Sequence, residues 1–283
     1  MSEPVLVPGA RDVRGSLDRA NDGVDDVDRA NDGVDDVDRA NDGVDDVDRA
    51  NNGVDDVDRA NNGVDDVSRA NDGVDDADDG PGHAAPESET ATTCVVACPP
   101  HPQHRGHRGD ERLEAVADAV TAAGVDCLRI DYGDWDEGYG ERTDVSNAVA
   151  WARERYDRVG LFGFSFGGTL SLLVAANADD GGGASSRDAA PVDAVAALAP
   201  TARIDEALDA TAAVAALDCP MLVVAGTRDD VADWEPVVEA VERADGAVVS
   251  LAADHFFVGQ AQKAADRVAS WLVPTLTDTV VRR

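Results

Sequence analysis

A serine between two glycines is the feature of this sequence with the clearest chemical meaning. Gly163, Ser165 and Gly167 form the pattern G-x-S-x-G, which follows an apolar run at 159–162 and precedes a helix-like run at 169–178. In a sharp strand-to-helix turn, this pattern places a serine hydroxyl above the end of a sheet. Glycines are expected there because side chains flanking so tight a turn would collide with backbone. The setting favours a nucleophilic serine over the alternative, a serine that only caps a helix.

A serine hydroxyl attacks well only when a base takes its proton and a third group orients that base. Candidates for both roles follow Ser165 in the chain. Asp229 comes just after an apolar strand-like run, and His255 lies in the loop after the last such run. His255 is also the only histidine downstream of Ser165. We therefore predict that His255 is the base and that Asp229 orients it, with Asp230 and Asp233 as alternatives for the acid.

Acyl transfer also needs backbone N–H groups that face the developing oxyanion. The N–H of Phe166, directly after the serine, is the first candidate. The second donor is expected from the loop at 99–107, where Pro102 has no N–H and Gln103 is therefore the choice. The same loop carries three histidines that make zinc a weaker alternative: His101, His104 and His107. We expect neither a metal nor a cofactor.

Apolar runs alternate with amphipathic ones along most of the chain. Strand-like runs lie at 93–97, 126–130, 158–162, 192–198, 221–225 and 247–251. Helix-like runs lie at 110–123, 142–156, 166–178, 204–217, 234–244 and 257–272. This alternation predicts an α/β fold with a mostly parallel, doubly wound sheet and helices on both faces.

The first 90 residues have a different organisation. Residues 1–17 indicate two short strands around Pro8 and Gly9, which we expect to join the sheet of a catalytic domain at 91–283. The alternative is that the first 90 residues are a disordered extension. Residues 18–90 contain an acidic ten-residue repeat, which spans 18–77. Two valines per repeat cannot bury enough surface to offset chain entropy, so a disordered insertion is predicted. Calcium binding is a weaker alternative, because the repeat lacks two ligands of an EF-hand-like loop. A glycine- and serine-rich loop is predicted at 179–191.

The composition restricts the class of protein. The formal charge is −34, from 58 acidic and 24 basic residues, and the only lysine is Lys263. Such a surface excludes nucleic acid and anionic membranes as partners. It favours the cytoplasm of a salt-adapted organism, since concentrated salt screens charge repulsion. The chain contains no run of 18 apolar residues and begins without a signal-like segment. Its four cysteines lie in or beside apolar runs and are expected to be buried thiols.

Several motifs in this order resemble the α/β-hydrolase superfamily. The segments are Pro-Pro-His-Pro-Gln at 99–103, Leu-Arg-Ile-Asp-Tyr at 128–132, the serine motif at 163–168, Gly-Thr-Arg-Asp at 226–229 and Asp-His-Phe-Phe at 254–257. More narrowly, the chain is similar to small capless prokaryotic members described as dienelactone-hydrolase-like, over about residues 94–272. The resemblance implies Ser165 as nucleophile, Asp229 as orienting acid and His255 as base.

Two departures from that family limit what the resemblance implies. Dienelactone hydrolases proper use a cysteine nucleophile, so lactone hydrolysis is not implied. The family usually has a Gly-Gly pair after His-Pro, and Arg105 replaces the first glycine here.

The favoured function is a serine hydrolase that cleaves a carboxylic ester of a small molecule, with an amide or thioester as less favoured substrates. No long insertion follows the strand-like run at 192–198, because the helix-like run at 204–217 comes soon after it. An open pocket for a short acyl group is therefore expected. The alternative is a non-catalytic, hydrolase-like binding protein whose acidic repeat is an interaction or calcium-binding segment. The sequence indicates neither the natural substrate nor the oligomeric state.

Overall fold

The apolar runs of the sequence assemble into a mixed sheet. The computed structural model describes residues 2–9, 11, 13–20, 91–176 and 192–278. The predicted acidic insertion therefore lies outside the described residues, apart from its first three positions. The predicted loop at 179–191 also lies outside them.

Eight strands and six α-helices are present within the described ranges. The strands are β1 Ser2–Val7, β2 Val13–Asp18, β3 Thr93–Cys98, β4 Asp126–Ile130, β5 Arg158–Phe164, β6 Ala194–Leu198, β7 Met221–Gly226 and β8 Ala247–Leu251. The helices are α1 Glu111–Thr121, α2 Tyr139–Arg153, α3 Phe166–Ala175, α4 Ala210–Val214, α5 Glu235–Arg243 and α6 Ala261–Thr277. None of these helices is long and apolar enough to cross a membrane.

The sheet has the order β1-β2-β4-β3-β5-β6-β7-β8. The six strands from β3 to β8 are parallel, whereas β1 pairs antiparallel with β2, and β2 antiparallel with β4. Chain order and spatial order differ at β3 and β4, where the winding reverses. The predicted mostly parallel, doubly wound architecture is confirmed.

Both faces of the sheet are covered, as the continuous apolar runs require. In β3, Cys94, Val96 and Cys98 pack on the face that carries α2 and α3. Val95 and Ala97 point to the other face, against α1 and α6. All five side chains are fully buried, so the central strands form a rigid support for the loops at their carboxyl ends.

The single helix predicted over 204–217 is wrong. Only Ala210–Val214 is helical, and an isolated bridge joins Arg203 to Asp209 before it. Two aspartate side chains explain the difference. Asp205 accepts the N–H groups of Ala207 and Leu208, at 2.8 Å each, which holds a turn in place of helix. Asp209 then accepts the N–H of Ala212 and begins α4 as its N-cap.

The cysteines differ in their access to solvent, and this predicts their reactivity. Cys94, Cys98 and Cys127 are fully buried, whereas Cys219 is half-exposed. Burial raises the pKa of all three inner thiols, that of Cys98 to about 12, so their reactive thiolate forms are scarce at neutral pH. An aromatic disulfide reagent should therefore modify only Cys219 in the native protein. The same titration in denaturant should reach all four cysteines, and rapid native modification of more than one thiol would contradict this packing.

Candidate active site

Three polar residues meet at one edge of the sheet. Ser165 directly follows β5, Asp229 lies in the loop after β7, and His255 lies in the loop after β8. Because β5, β7 and β8 run parallel, their carboxyl ends open on the same edge. The topology thus brings together residues that are far apart in sequence.

A continuous chain of hydrogen bonds joins these three side chains. Ser165 Oγ lies 2.9 Å from His255 Nε2, and His255 Nδ1 lies 2.7 Å from Asp229 Oδ2. The side chains of His255 and Asp229 are 5% and 0% exposed, while Ser165 is half-buried and reaches the pocket. The imidazole therefore has one nitrogen on a buried carboxylate and the other on an accessible hydroxyl.

The turn at Ser165 is as tight as the sequence predicts. Ser165 has φ 54° and ψ −117°, a conformation that non-glycine residues seldom adopt. Its N–H donates to Leu198 O at 2.8 Å, which ties the turn to the neighbouring strand β6. A Cβ at Gly163 would overlap the carbonyl of Gly167, and a Cβ at Gly167 would overlap the carbonyls of Cys98 and Pro99. Both flanking glycines are needed for steric reasons.

The side chain of Asp229 is fixed by hydrogen bonds within its own loop, which distinguishes it from the neighbouring aspartates. Asp229 Oδ1 accepts the N–H groups of Val231 and Ala232, at 2.9 Å each, which leaves Oδ2 for the histidine. Asp230 and Asp233, the two alternatives for the acid, are both exposed. Of the three aspartates, the structure brings only Asp229 to the histidine.

Gly226, the first residue of the motif at 226–229, allows the two loops to approach, a role that the sequence did not indicate. Gly226 ends β7, and a Cβ there would lie 2.7 Å from Ala253 O and 2.9 Å from Asp254 O. Arg228 N–H also donates to Ala253 O at 3.0 Å. The backbone before His255 therefore lies directly against the turn that carries Asp229. The available signal was a glycine at a strand end, three residues before a candidate acid.

The two predicted oxyanion donors lie in different surroundings. Phe166 is the first residue of α3, where a backbone N–H has no acceptor within the helix, and it lines the pocket beside Ser165. The N–H of Gln103 instead donates to His101 Nδ1 at 3.2 Å, and its side chain is exposed. Gln103 is not among the described residues that line the pocket. The structure therefore does not bring Gln103 to the site, because the ring of His101 occupies its N–H.

Aromatic rings form one wall of the pocket. The ring of His101 lies 4.5 Å from Trp135, 4.9 Å from Phe166 and 4.7 Å from His104, measured between ring centroids. Burial and the neighbouring His104 lower the pKa of His101, which favours the neutral imidazole. His107 instead accepts the N–H of Gly109. Within the described ranges, no three potential metal ligands come together, these histidines included.

The pocket above Ser165 has a volume of about 550 Å³. Its mouth carries two exposed apolar side chains, Val231 and Phe256. Its inner wall includes Asp110 and Arg112 from the beginning of α1, which the sequence analysis did not single out. Their position depends on how α1 packs against the sheet, and no local motif marks it.

The eight-stranded sheet and the serine turn at the end of β5 are those of the α/β-hydrolase fold. Solved structures share it at low sequence identity. A serine hydrolase homologue from Coxiella burnetii is 18% identical, with a TM-score of 0.58 over 95% of this chain and 96% of the other. A serine hydrolase without a lid from Xanthomonas campestris is 16% identical, with a TM-score of 0.60 over 98% and 96%.

A third solved structure aligns with a smaller part of the chain. The esterase Pf2001 of Pyrococcus furiosus is 16% identical, with a TM-score of 0.53 over 65% of this chain and 83% of the other. The family described as X-Pro dipeptidyl-peptidase (S15 family) matches residues 131–204, the region around the serine turn. No curated protein matches the chain in sequence.

Proposed function

We propose that this protein is a serine hydrolase that cleaves carboxylic esters of small molecules. Ser165 is the nucleophile, His255 the general base and Asp229 the residue that orients the base. The observation that supports these roles is the unbroken path from Ser165 Oγ through the imidazole to a fully buried carboxylate. Nucleophile, base and orienting acid in hydrogen-bond contact are the combination that activates a hydroxyl.

The geometry supports a role for each group in the proposed reaction. His255 Nδ1–H donates to Asp229, so Nε2 carries the free lone pair and accepts the Ser165 proton as Oγ attacks the carbonyl carbon. The N–H of Phe166 stabilises the resulting oxyanion. The imidazolium then protonates the leaving alcohol, which leaves an acyl-enzyme. Water, deprotonated by the same histidine, releases the acid and regenerates the serine.

The pocket supports a small ester rather than a polymer as substrate. Its volume of about 550 Å³ is that of a small-molecule site. The residues over 199–209 form a short, hydrogen-bonded connection rather than a long insertion above the serine. A structural neighbour named as an esterase supports an ester as the substrate.

A fluorophosphonate probe tests the proposed nucleophile directly. The probe should label the protein once, at Ser165, because it reacts only with a serine that a neighbouring base activates. Ser165→Ala should abolish labelling, whereas Ser270→Ala, which changes an exposed serine of α6, should leave it unchanged. Peptide mapping by mass spectrometry identifies the labelled residue. Equal labelling of folded Ser165→Ala protein would overturn the assignment.

A further inference from the structure

The pocket has a charge that differs from the rest of the chain. The protein carries a formal charge of −34, yet the described residues of the pocket include two arginines, Arg105 and Arg112, and only one carboxylate, Asp110. These lining residues sum to a formal +1 with the histidines neutral, and the buried carboxylate of Asp229 behind His255 brings the whole site to zero. In so acidic a protein, a pocket whose lining residues are net positive points to a negative charge on what binds there.

Arg112 is held in place from two sides. Asp110, the N-cap of α1, accepts the N–H of Arg112 at Oδ1 and its Nη2 at Oδ2, at 3.0 and 2.6 Å. The guanidinium also lies over the ring of Phe164, 4.7 Å from its centroid. The Arg112 side chain is 16% exposed, so it is largely fixed before any ligand arrives.

The remaining donors of Arg112 are unpaired within the described part of the chain. Its Nε is buried without a hydrogen-bond partner, and the side-chain hydrogen bond of Arg112 uses Nη2 and not Nη1. An arginine has five N–H donors in a planar fork that matches a carboxylate. One carboxylate, Asp110, occupies only the Nη2 end of this fork. The Nη1 end is therefore left without a protein acceptor, on a side chain that lines the pocket.

Phe164 connects this arginine to the reacting atoms. Phe164 immediately precedes Ser165, and its ring lies against the guanidinium of Arg112 and 5.6 Å from the ring of His255. Arg112 and Ser165 thus line the same pocket with one aromatic ring between the arginine and the base. A ligand that presents its ester to Ser165 can reach Arg112 with another part of the same small molecule.

We propose that Arg112 binds a carboxylate of the substrate, so that the preferred esters carry an anionic group besides the ester bond. This inference rests on the proposed function, since it names the substrate class of the same site. Arg105, exposed on the pocket rim, adds positive charge to the approach. Asp110 positions Arg112, and its own charge limits how strongly the pocket attracts an anion.

The test compares esters that differ only in a carboxylate. One pair is para-nitrophenyl butyrate and the para-nitrophenyl half-ester of glutarate, with the carboxylate in the acyl part. The other is phenyl acetate and the acetyl ester of para-hydroxybenzoate, with the carboxylate in the alcohol part. In at least one pair, the anionic ester should have the higher kcat/KM, by about tenfold, as expected for one charge-assisted hydrogen bond. The pair that shows the preference identifies which side of the ester carries the carboxylate.

Three variants distinguish the effect of Arg112 on this preference from the effect of the overall charge of the protein. Arg112→Met keeps an apolar stem on Phe164 and should reduce the preference about tenfold, to near one. Arg267→Gln, which removes an exposed positive charge from α6, should leave the preference unchanged. Asp110→Asn preserves a good N-cap while removing the competing carboxylate, so it should increase the preference. A wild-type preference for the neutral esters in both pairs, or an equal effect of Arg267→Gln, would overturn the proposal.

A binding measurement keeps this inference distinct from the proposed reaction. Ser165→Ala protein should bind the glutarate half-ester in calorimetry, and the added Arg112→Met change should weaken that binding about tenfold. Failure of fluorophosphonate labelling would refute the nucleophile and leave this result standing. Conversely, labelled protein whose binding of the half-ester is unaffected by Arg112→Met would refute the anion site alone.

Discussion

Replacement of Asp229 by asparagine should lower kcat by on the order of 10⁴-fold, by analogy with Ser-His-Asp hydrolases, and preserve the fold. The asparagine oxygen can still accept the N–H groups of Val231 and Ala232, so the loop should keep its shape. Its amide nitrogen would then face His255 Nδ1, in place of the carboxylate oxygen that now lies 2.7 Å away. A donor at that position forces the imidazole proton onto Nε2, where it faces Ser165 Oγ. The histidine could then no longer accept the serine proton.

The neighbouring acid provides a matched control for this substitution. Asp230→Asn removes the same charge one residue later, from an exposed side chain, and should leave kcat within about twofold, as expected for a surface change. Steady-state hydrolysis of a para-nitrophenyl ester gives kcat for both variants, and thermal melting shows whether each remains folded. Near-normal turnover of Asp229→Asn would remove Asp229 from the mechanism. An equal loss in Asp230→Asn would attribute the effect to general charge.

The residues that do the proposed chemistry were predictable from sequence because their constraints are local. Ser165 needs glycines two residues away on each side, and a base and an acid must lie at the ends of parallel strands. His255 and Asp229 met that condition with few competitors, and the structure joins both to the serine. The strands of the sheet were also predictable, since strands that are buried on both faces are continuously apolar.

The walls of the pocket were not predictable, because they depend on side-chain contacts between distant segments. Gln103 was chosen by counting from a proline, yet the ring of His101 takes its N–H. The turn before α4 is held by Asp205, whose bonds to nearby backbone compete with helix in a way that apolar periodicity does not reveal. Arg112 reaches the pocket only through the packing of α1 against the sheet. No short pattern in the sequence marks such contacts.

One sequence difference from the family that this chain resembles coincides with an unusual backbone conformation. Arg105 stands where that family usually has a glycine, and it adopts φ 67°, the left-handed region that glycine favours. The next residue, Gly106, cannot carry a side chain, since a Cβ there would overlap the carbonyl of Pro100. The loop thus holds one arginine in a left-handed conformation directly before a glycine that has no space for a side chain. That arginine adds a positive charge to the rim of the pocket.

Substitution of Gly167 by alanine should strongly destabilise the fold. A Cβ at Gly167 would overlap the carbonyl oxygens of Cys98 and Pro99. These atoms are backbone at the end of the buried strand β3, and they cannot rotate away as a side chain could. We expect the free energy of unfolding to fall by about 3 kcal/mol, at the upper end of the usual cost of overpacking. Urea denaturation measures this loss.

The same substitution should also lower activity in the molecules that remain folded. To relieve the overlap, α3 must move away from β3, and the N–H of Phe166 at its first turn must move with it. The proposed oxyanion donor would then be misplaced, and loss of one such donor costs about 10² to 10³ in kcat. Gly109→Ala is the control, because its Cβ would meet side-chain atoms rather than backbone: the exposed ring of His107 at 3.1 Å and Glu114 Oε1 at 3.6 Å. That variant should change stability by no more than about 0.5 kcal/mol, as is usual at the surface. Equal stability and activity in the two variants would show that the serine turn is not held by close contact between α3 and the loop after β3.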